Sequence, residues 1–589
     1  MPKMNVMDAV VKVMESEGVE VAFGVPGAAI LPLYQALAKS DQIRHISVRH
    51  EEGGTHAADG YARITGKVGI NIGTSGPAGT NMITGLYTNM ADSIPMICIT
   101  GQAPTDVLHK EAFQAVDIVE IAKPVTKWAV QVKETAQMPW TFRQAFRIAR
   151  EGRPGPVLID LPLNVQKGEE VDFDPQRGGP LEFEKPAPYA NGVRQAMEML
   201  LAAERPMILS GGGVILGEAS EALMALAEYL QVPVTPTYMG KGSIPEDHPL
   251  CAGIVGIQTS QRYANALFLE SDLILAVGAR FGDRHTGELD VYRGDRKFIH
   301  VDIDPNQLGR VFAPDLGIVS DAKLALEAFL GVAHDMTSAR EPGAWVERVD
   351  ELRSTLLRKT NFDDVPVKPQ RVYQEINEFF DEDTVFLTAI GLYQIFGGQF
   401  QKTYKPRHYI CCGQAGPLGW EVPACIGAKV GAPDKLIVGI VGDYSFEFLM
   451  EEIAVAVQYK VPYVLVMLNN GYMGLIRQGE KYGYDKLDYG VDLTYEGPGA
   501  YGMDHVAVME AMGALGRKVI EPGDIAEALR WAVEASEEHQ VPALVEIVTE
   551  RDTDAAMGIS IDKVNEYEPI LDGTREHAGE VVGALPERD

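Results

Sequence analysis

Residues 433–476 read PDKLIVGIVGDYSFEFLMEEIAVAVQYKVPYVLVMLNNGYMGLI: an apolar run from Leu436 to Val441 stops at Gly442-Asp443, and a second, from Tyr463 to Leu468, stops at Asn469-Asn470. The pattern predicts a strand, a helix, a second strand and a turn. Asp443 and Asn470 lie 27 positions apart, about the length of one βαβ crossover. A parallel sheet then sets both at the carboxyl ends of neighbouring strands, where open α/β sheets take their ligands. Both side chains present oxygen. A carboxylate, an amide oxygen and the backbone carbonyl of Tyr472 suit a hard cation, Mg2+ above all, holding a phosphorylated cofactor. Taken alone, the same residues also read as a helix cap and a turn.

Outward from this stretch, strand and helix patterns alternate through the whole chain and predict an α/β fold of three doubly wound parallel-sheet domains. The first domain, 1–168, carries the strands VAFGVPG, RHISVRHE, VGINIGTSGPAG, PMICITGQ and PVLIDLP. Residues 169–191 are rich in proline, glycine and charge and read as a linker. A central domain, 192–332, holds PMILSGGG, LILAVGARF and KFIHVDID. A charged, helix-rich connection, 333–369, leads to the third domain, 370–550, whose first strand is TVFLTAIG, and 551–589 reads as a polar tail.

The 589 residues include 83 acidic and 52 basic side chains, a formal net charge of −31. Such a balance opposes nonspecific binding to nucleic acid or an acidic membrane, and an anionic substrate needs a local cation. The apolar stretches fall well short of the roughly 18 residues of a membrane span, and no export signal is seen. Five cysteines, an odd number without C-x-x-C spacing, read as reduced thiols in the cytoplasm.

Ile426-Gly427, Pro433, Gly442-Asp443 and Asn470, in this spacing, resemble the signature of the thiamine-diphosphate-dependent decarboxylase and carboligase superfamily. Tyr444 departs from it, since that position is usually small. The resemblance implies thiamine diphosphate with Mg2+ on Asp443, Asn470 and Tyr472. It implies further cofactor contacts from Gly391, Leu392, Gln394, Gly416, Gly442, Tyr444, Ser445, Met473, Gly474 and Leu475. Leu418, in the turn GQAGPLG, is the bulky apolar residue that would hold the cofactor bent. Glu51, after Arg49-His50, matches the glutamate that hydrogen-bonds the aminopyrimidine ring and promotes its imino form. Alone, an acidic residue in a first helical turn is usually a surface group favoured by the helix dipole. Val25, Pro26 and Gly27, with Thr74, Pro77 and Asn81 of the glycine-rich turn, would support the same ring. Because the two halves usually come from different subunits, a homodimer is the smallest unit implied, and a tetramer is expected.

In the central domain, Gly211-Gly212-Gly213, Gly278, Arg280, Asp302, Ile303 and Asp321, joined by Arg153, are similar to an FAD-binding domain in which the flavin is structural. Arg284 is assigned to a substrate carboxylate; it could instead pair with Asp283 or Glu288. The stretches GQAPTDVLHKEAFQAVDIVEIAKPV, PDLGIVSDAK, CGQAGPLGW and NNGYMGLIRQ resemble the glyoxylate carboligase branch, up to about residue 560, and Tyr444 fits that branch. Glu51 does not: the branch carries valine there, and glutamate is the acetohydroxyacid synthase type. The implied reaction joins two glyoxylate molecules into tartronate semialdehyde with loss of carbon dioxide. Tyr472, Met473, Leu475 and Ile476 would line the acceptor site. The rivals are acetolactate synthesis from pyruvate and flavin-dependent oxidation of a 2-oxo acid.

Overall fold

The computed structural model describes residues 3–168, 170–174, 179–181 and 183–569. Positions 169, 175–178 and 182 of the expected linker, and 570–589 of the expected tail, lie outside the described residues.

Three parallel sheets form, because each holds central runs of β-branched and apolar residues that are long enough for one strand and are buried throughout, while edge strands such as Trp128–Gln131 and Leu515–Val519 are only partly buried. Ile437–Gly442 and Val464–Asn469 are buried at every position, as expected of strands covered by helices on both faces. The N-terminal sheet has six strands in the order Arg44–Ser47, Val21–Gly24, Gly69–Gly73, Met96–Gln102, Pro156–Pro162, Trp128–Gln131. The C-terminal sheet has Tyr409–Cys411, Val385–Thr388, Ile437–Gly442, Val464–Asn469, Ala543–Val548, Leu515–Val519. Ranked along the chain, both orders are 2-1-3-4-6-5, so the two units are topological copies. The central sheet runs Val234–Pro236, Pro206–Ser210, Leu273–Val277, Lys297–Asp302, Leu316–Val319. Each sheet reverses its strand order beside its first strand, which places a ligand crevice there.

The N- and C-terminal units share one core. Phe23, Ile46 and Leu86 of the first join Trp420, Ala424, Val441 and Leu465 of the second in a single apolar cluster. Its centre is the crossing of the helices Glu51–Thr65 and Glu421–Gly431, which approach at backbone distance. Glycine makes this possible: a Cβ on Gly427 would stand 1.8 Å from the Ala57 carbonyl oxygen, and one on Gly60 would stand 2.2 Å from that of Ala424. Beside the crossing, the buried Asp59 accepts from Trp420 Nε1 at 2.6 Å and from Arg63 Nε at 2.8 Å. The central unit has apolar clusters of its own.

Part of the expected polar tail is built in. Met557–Ser560 and Lys563–Asn565 form an antiparallel hairpin. Beyond it, the Glu566 carboxylate lies 2.6 Å from Arg262 Nε and 2.8 Å from Arg358 Nε, in buried ion pairs.

Gly427→Ala is expected to force the two crossing helices apart and to cost about 1 to 3 kcal/mol, the range of overpacking. Thermal unfolding reads this as a melting temperature lowered by several degrees; an unchanged melting temperature would contradict the close crossing.

Candidate active site

Parallel pairing of Ile437–Gly442 with Val464–Asn469 sets Gly442 opposite Leu468, so the residues that follow each strand leave the sheet side by side. Asp443 opens a helix and Asn470 opens a turn, and the Gly471 N–H donates to Asp443 Oδ2 at 2.9 Å. Asp443, Asn470 and Tyr472 line one cavity of about 250 Å3 together with Gly391, Leu418 and Ser445. Three helices begin on its wall: Leu392–Phe400, Asp443–Phe448 and Gly474–Gly483. Their first-turn N–H groups, apart from that of Gly474, which donates to the Tyr472 carbonyl at 2.8 Å, and their dipoles make a cradle for an anion such as a diphosphate. Burial pushes the Asp443 carboxyl up to about 7, and a cation beside it would offset that penalty. Among the described residues no three His, Cys, Asp or Glu side chains gather as a metal site. The residues that could hold a cation here offer one carboxylate, one amide and one carbonyl. With phosphate oxygens and water completing the shell, these make a hard-oxygen set of the kind Mg2+ takes.

Beneath this cavity lies a carboxylate that the sequence reading passed over. Glu421 is fully buried; it accepts from the Ala389 N–H at 3.0 Å, from Ser445 Oγ at 2.9 Å and from the Tyr393 hydroxyl. Ser445 Oγ in turn accepts the Gly419 N–H at 3.0 Å, tying the turn that carries Leu418 to the Asp443 helix. The available signal was an acidic residue inside the apolar helix EVPACIGAKV. Thr549 and Thr553, after the strand Ala543–Val548, and Pro369 also line the cavity; polar residues beyond a strand and a lone proline gave no pattern to read.

The N-terminal candidates gather elsewhere, at the crevice of their own sheet. Ala29 N donates to Thr74 Oγ1 at 3.2 Å, Gly27 leans on Thr74, and Asn81 Nδ2 donates to Glu51 Oε2 at 2.9 Å. Val25, Pro26, Gly27, Glu51, Thr74, Pro77 and Asn81 are all half-buried or exposed. None of them lines the Asp443 cavity, whose walls come entirely from residues 369–553. Glu452, from the C-terminal unit, accepts the N–H groups of Arg49 and His50 at 3.0 and 2.8 Å and so fixes the start of the helix that carries Glu51.

A second cavity, of about 420 Å3, opens at the crevice of the central sheet and is walled by all three units. Gly212, Gly213, Gly278, Arg280, Asp302, Ile303 and Asp321 line it, as do Arg153 and Arg284. Burial raises the Asp302 carboxyl to about 6. Asp321 caps the helix Ala322–Met336 and lies 3.1 Å from Lys185 Nζ. Arg280, Arg153 and Lys185 are cations that could meet a phosphate, and the two acids lie at strand ends where hydroxyls could be held.

Two candidates lie away from the cavities assigned to them. Gly211 does not line the central cavity: its missing Cβ makes room for the Gly278 carbonyl oxygen, 2.1 Å from where that atom would stand, so it serves a backbone crossing. Gln394 is buried outside the Asp443 cavity and accepts from Arg284 Nη2 at 3.4 Å. Arg284 also donates from Nε to Gln258 Oε1 at 2.7 Å, while Asp283 accepts its backbone N–H. The arginine thus lines the central cavity and touches the helix that starts at the Asp443 cavity.

An anion cradle beside oxygen donors at one crevice, and a second cavity walled by all three units at another, fit an α/β enzyme that holds a phosphorylated cofactor. Family models agree: the N-terminal TPP binding domain of thiamine pyrophosphate enzymes matches residues 4–121, the central domain 193–329 and the C-terminal TPP binding domain 389–547. The chain belongs to the thiamine pyrophosphate enzyme family. It is 51% identical to a glyoxylate carboligase of Escherichia coli O157:H7, with 98% of each chain covered. It is 39% identical to a probable acetolactate synthase large subunit of Methanocaldococcus jannaschii over 92% of each chain. Identity to the acetolactate synthase large subunit of Corynebacterium glutamicum is 34%, over 98% of this chain and 93% of that one.

Burial raises the Glu421 carboxyl from an ordinary 4.5 to about 7, against the opposing hydrogen bonds from Tyr393, Ser445 and Ala389. A raised carboxyl keeps its proton in the native state after the unfolded chain has released it. Its contribution to stability is therefore full below about pH 4.5 and is lost as the pH rises through about 7. Glu421→Gln, which cannot ionise, is expected to show a smaller fall in melting temperature between pH 5 and pH 8 than the wild type. Superimposable profiles would contradict a buried, proton-retaining Glu421.

Proposed function

We propose that the protein condenses two molecules of glyoxylate into tartronate semialdehyde and carbon dioxide, with thiamine diphosphate, Mg2+ and a structural FAD. The observation that carries the substrate is the 51% identity, spread over the whole chain, to a glyoxylate carboligase. Thiamine diphosphate, when bound, supplies the electron sink that loss of carbon dioxide from a 2-oxo acid requires. The chain's own residues do the rest. Asp443, Asn470 and Tyr472, which line one cavity, would hold the cation, and the three helix starts would hold the diphosphate. Leu418 stands as the apolar wedge that sets the cofactor's shape. Glu51, oriented by Asn81 and by the N–H groups that Glu452 holds, would be the group that holds or moves a proton at the cofactor's ring. Arg284 is the cation we assign to the substrate carboxylate, and Ile476 and Met473 form the acceptor wall.

Since Glu51 and its neighbours do not line the Asp443 cavity of their own chain, a second copy must bring them. We therefore infer a homodimer as the working unit, paired further into a tetramer. FAD is assigned to the central cavity on the strength of Arg153, Arg280, Asp302 and Asp321, and it stays a scaffold because the condensation moves no net electrons. Five free, buried cysteines suit a reducing cytoplasm. Among the described residues no helix is long and apolar enough to cross a membrane.

Glyoxylate supplied alone is expected to yield tartronate semialdehyde and one carbon dioxide for every two molecules consumed. Acetolactate from pyruvate with no product from glyoxylate would assign the chain to the rival synthesis, and anaerobic bleaching of flavin by substrate would mark an oxidase. Glu51→Gln is expected to lower kcat about a hundredfold, the low end of proton-transfer catalysis, with KM changed little. An unaltered kcat would remove Glu51 from the mechanism.

A further inference from the structure

We propose that Arg551 is a positioning residue for the metal-ligand turn, holding the Tyr472 carbonyl in place by gripping the tyrosine ring. The inference rests on the thiamine diphosphate reading above. Gly471, which starts the turn, has φ of 61°, and a Cβ there would stand 2.8 Å from the Tyr501 Cβ. The next residue is Tyr472, and two guanidinium groups lie against its ring: Arg551 Cζ is 4.0 Å from the centroid and Arg477 Cζ is 4.8 Å. Each arginine is anchored at its far end by a carboxylate. Arg551 Nη2 donates to Asp492 Oδ1 at 2.7 Å, and Arg477 Nη1 donates to Asp552 Oδ1 at 2.8 Å.

Asp492 belongs to residues 484–503, an excursion between two helices that contains no strand. Tyr484 and Tyr489 within it are 71% and 80% exposed, so burial does little to hold it. Yet this excursion braces the metal turn. Met473 N donates to the Val491 carbonyl at 2.9 Å, Leu493 N donates to the Gly471 carbonyl at 3.0 Å, and Tyr472 pairs with Asp492 in an antiparallel bridge. Arg551 closes the arrangement: it reaches the turn through the Tyr472 ring, one end of the excursion through Asp492, and the other through the Tyr501 ring at 5.5 Å. Tyr501 in turn donates to the Thr549 carbonyl at 3.0 Å, on a residue of the cavity wall.

The role is geometric rather than electrostatic. Neither arginine lines the cavity, and each is paired with a carboxylate, so little net charge reaches it. A half-exposed ion pair adds little by itself, whereas a planar guanidinium stacked on a ring restricts where the ring can go. Mg2+ accepts only near-octahedral oxygens at short range, so a small drift of the Tyr472 carbonyl lowers its affinity.

The test compares wild type, R551M and R551K as full-length proteins. Mg2+ is titrated at fixed thiamine diphosphate and followed by intrinsic fluorescence, and trypsin cleavage after Lys486 is timed in parallel. R551M is expected to raise the half-saturating Mg2+ concentration about five- to tenfold, and R551K, which keeps the charge but not the planar stacking group, by about as much, with the 2-oxo acid KM at saturating Mg2+ unchanged. Mg2+ with cofactor should slow the cleavage in wild type more than in R551M. A half-saturation in R551M within about twofold of wild type overturns the proposal. Should R551M fail to fold, Asp492→Asn removes the same brace from its other end and should shift half-saturation in the same direction; no shift overturns the proposal equally. Wild type that binds no thiamine diphosphate with Mg2+ overturns the cofactor reading itself, a result visible without any variant.

Discussion

The parallel ladder between Ile437–Gly442 and Val464–Asn469 is the constraint on which the site depends. A crossover helix returns the chain beside the strand it left, and two oxygen-bearing side chains far apart in sequence emerge at one crevice. Everything around the cavity elaborates that crevice. The helix starts supply N–H groups, Glu421 and Ser445 fasten the Leu418 turn to the Asp443 helix, and the excursion braces the metal turn. A carboxylate as deeply placed as Asp443 makes sense next to a cation, and the neutral amide and carbonyl beside it leave charge to spare for a diphosphate.

The second constraint is the glycine crossing of Glu51–Thr65 over Glu421–Gly431. It fuses the N- and C-terminal units into one core, and none of the N-terminal candidates lines the cavity of the same chain. The homodimer proposed above would bring the N-terminal candidates of one copy to the cavity of the other. The identical 2-1-3-4-6-5 strand orders give such an exchange a structural basis, since each half-site lies at the equivalent crevice of an equivalent sheet.

Much of this was legible in the residues. Strands such as LIVGIVG and YVLVML are uninterrupted apolar runs ending in Gly-Asp and Asn-Asn, and their tips meet as the spacing requires. Short or half-polar strands were missed: Trp128–Gln131, Val234–Pro236 and Leu316–Val319 are four residues or fewer and carry no distinctive period. Gly427 was read as part of a cofactor signature, Gly211 as part of a flavin-site resemblance and Gly60 not at all, yet all three serve contacts between backbones that only the fold reveals. Gln394 followed a strand end in sequence, but the helix turns it toward Arg284. The ring contacts of Arg551 join residues 79 positions apart, beyond the reach of any local pattern.

The most direct measurement is a crystal structure of the protein with thiamine diphosphate and Mg2+. The account predicts the metal about 2.1 Å from an Asp443 carboxylate oxygen, the Asn470 amide oxygen and the Tyr472 carbonyl, with diphosphate oxygens on the same ion and Glu51 of a second copy at the cofactor's ring. Cofactor bound elsewhere, or a metal that touches none of these three oxygens, would contradict it.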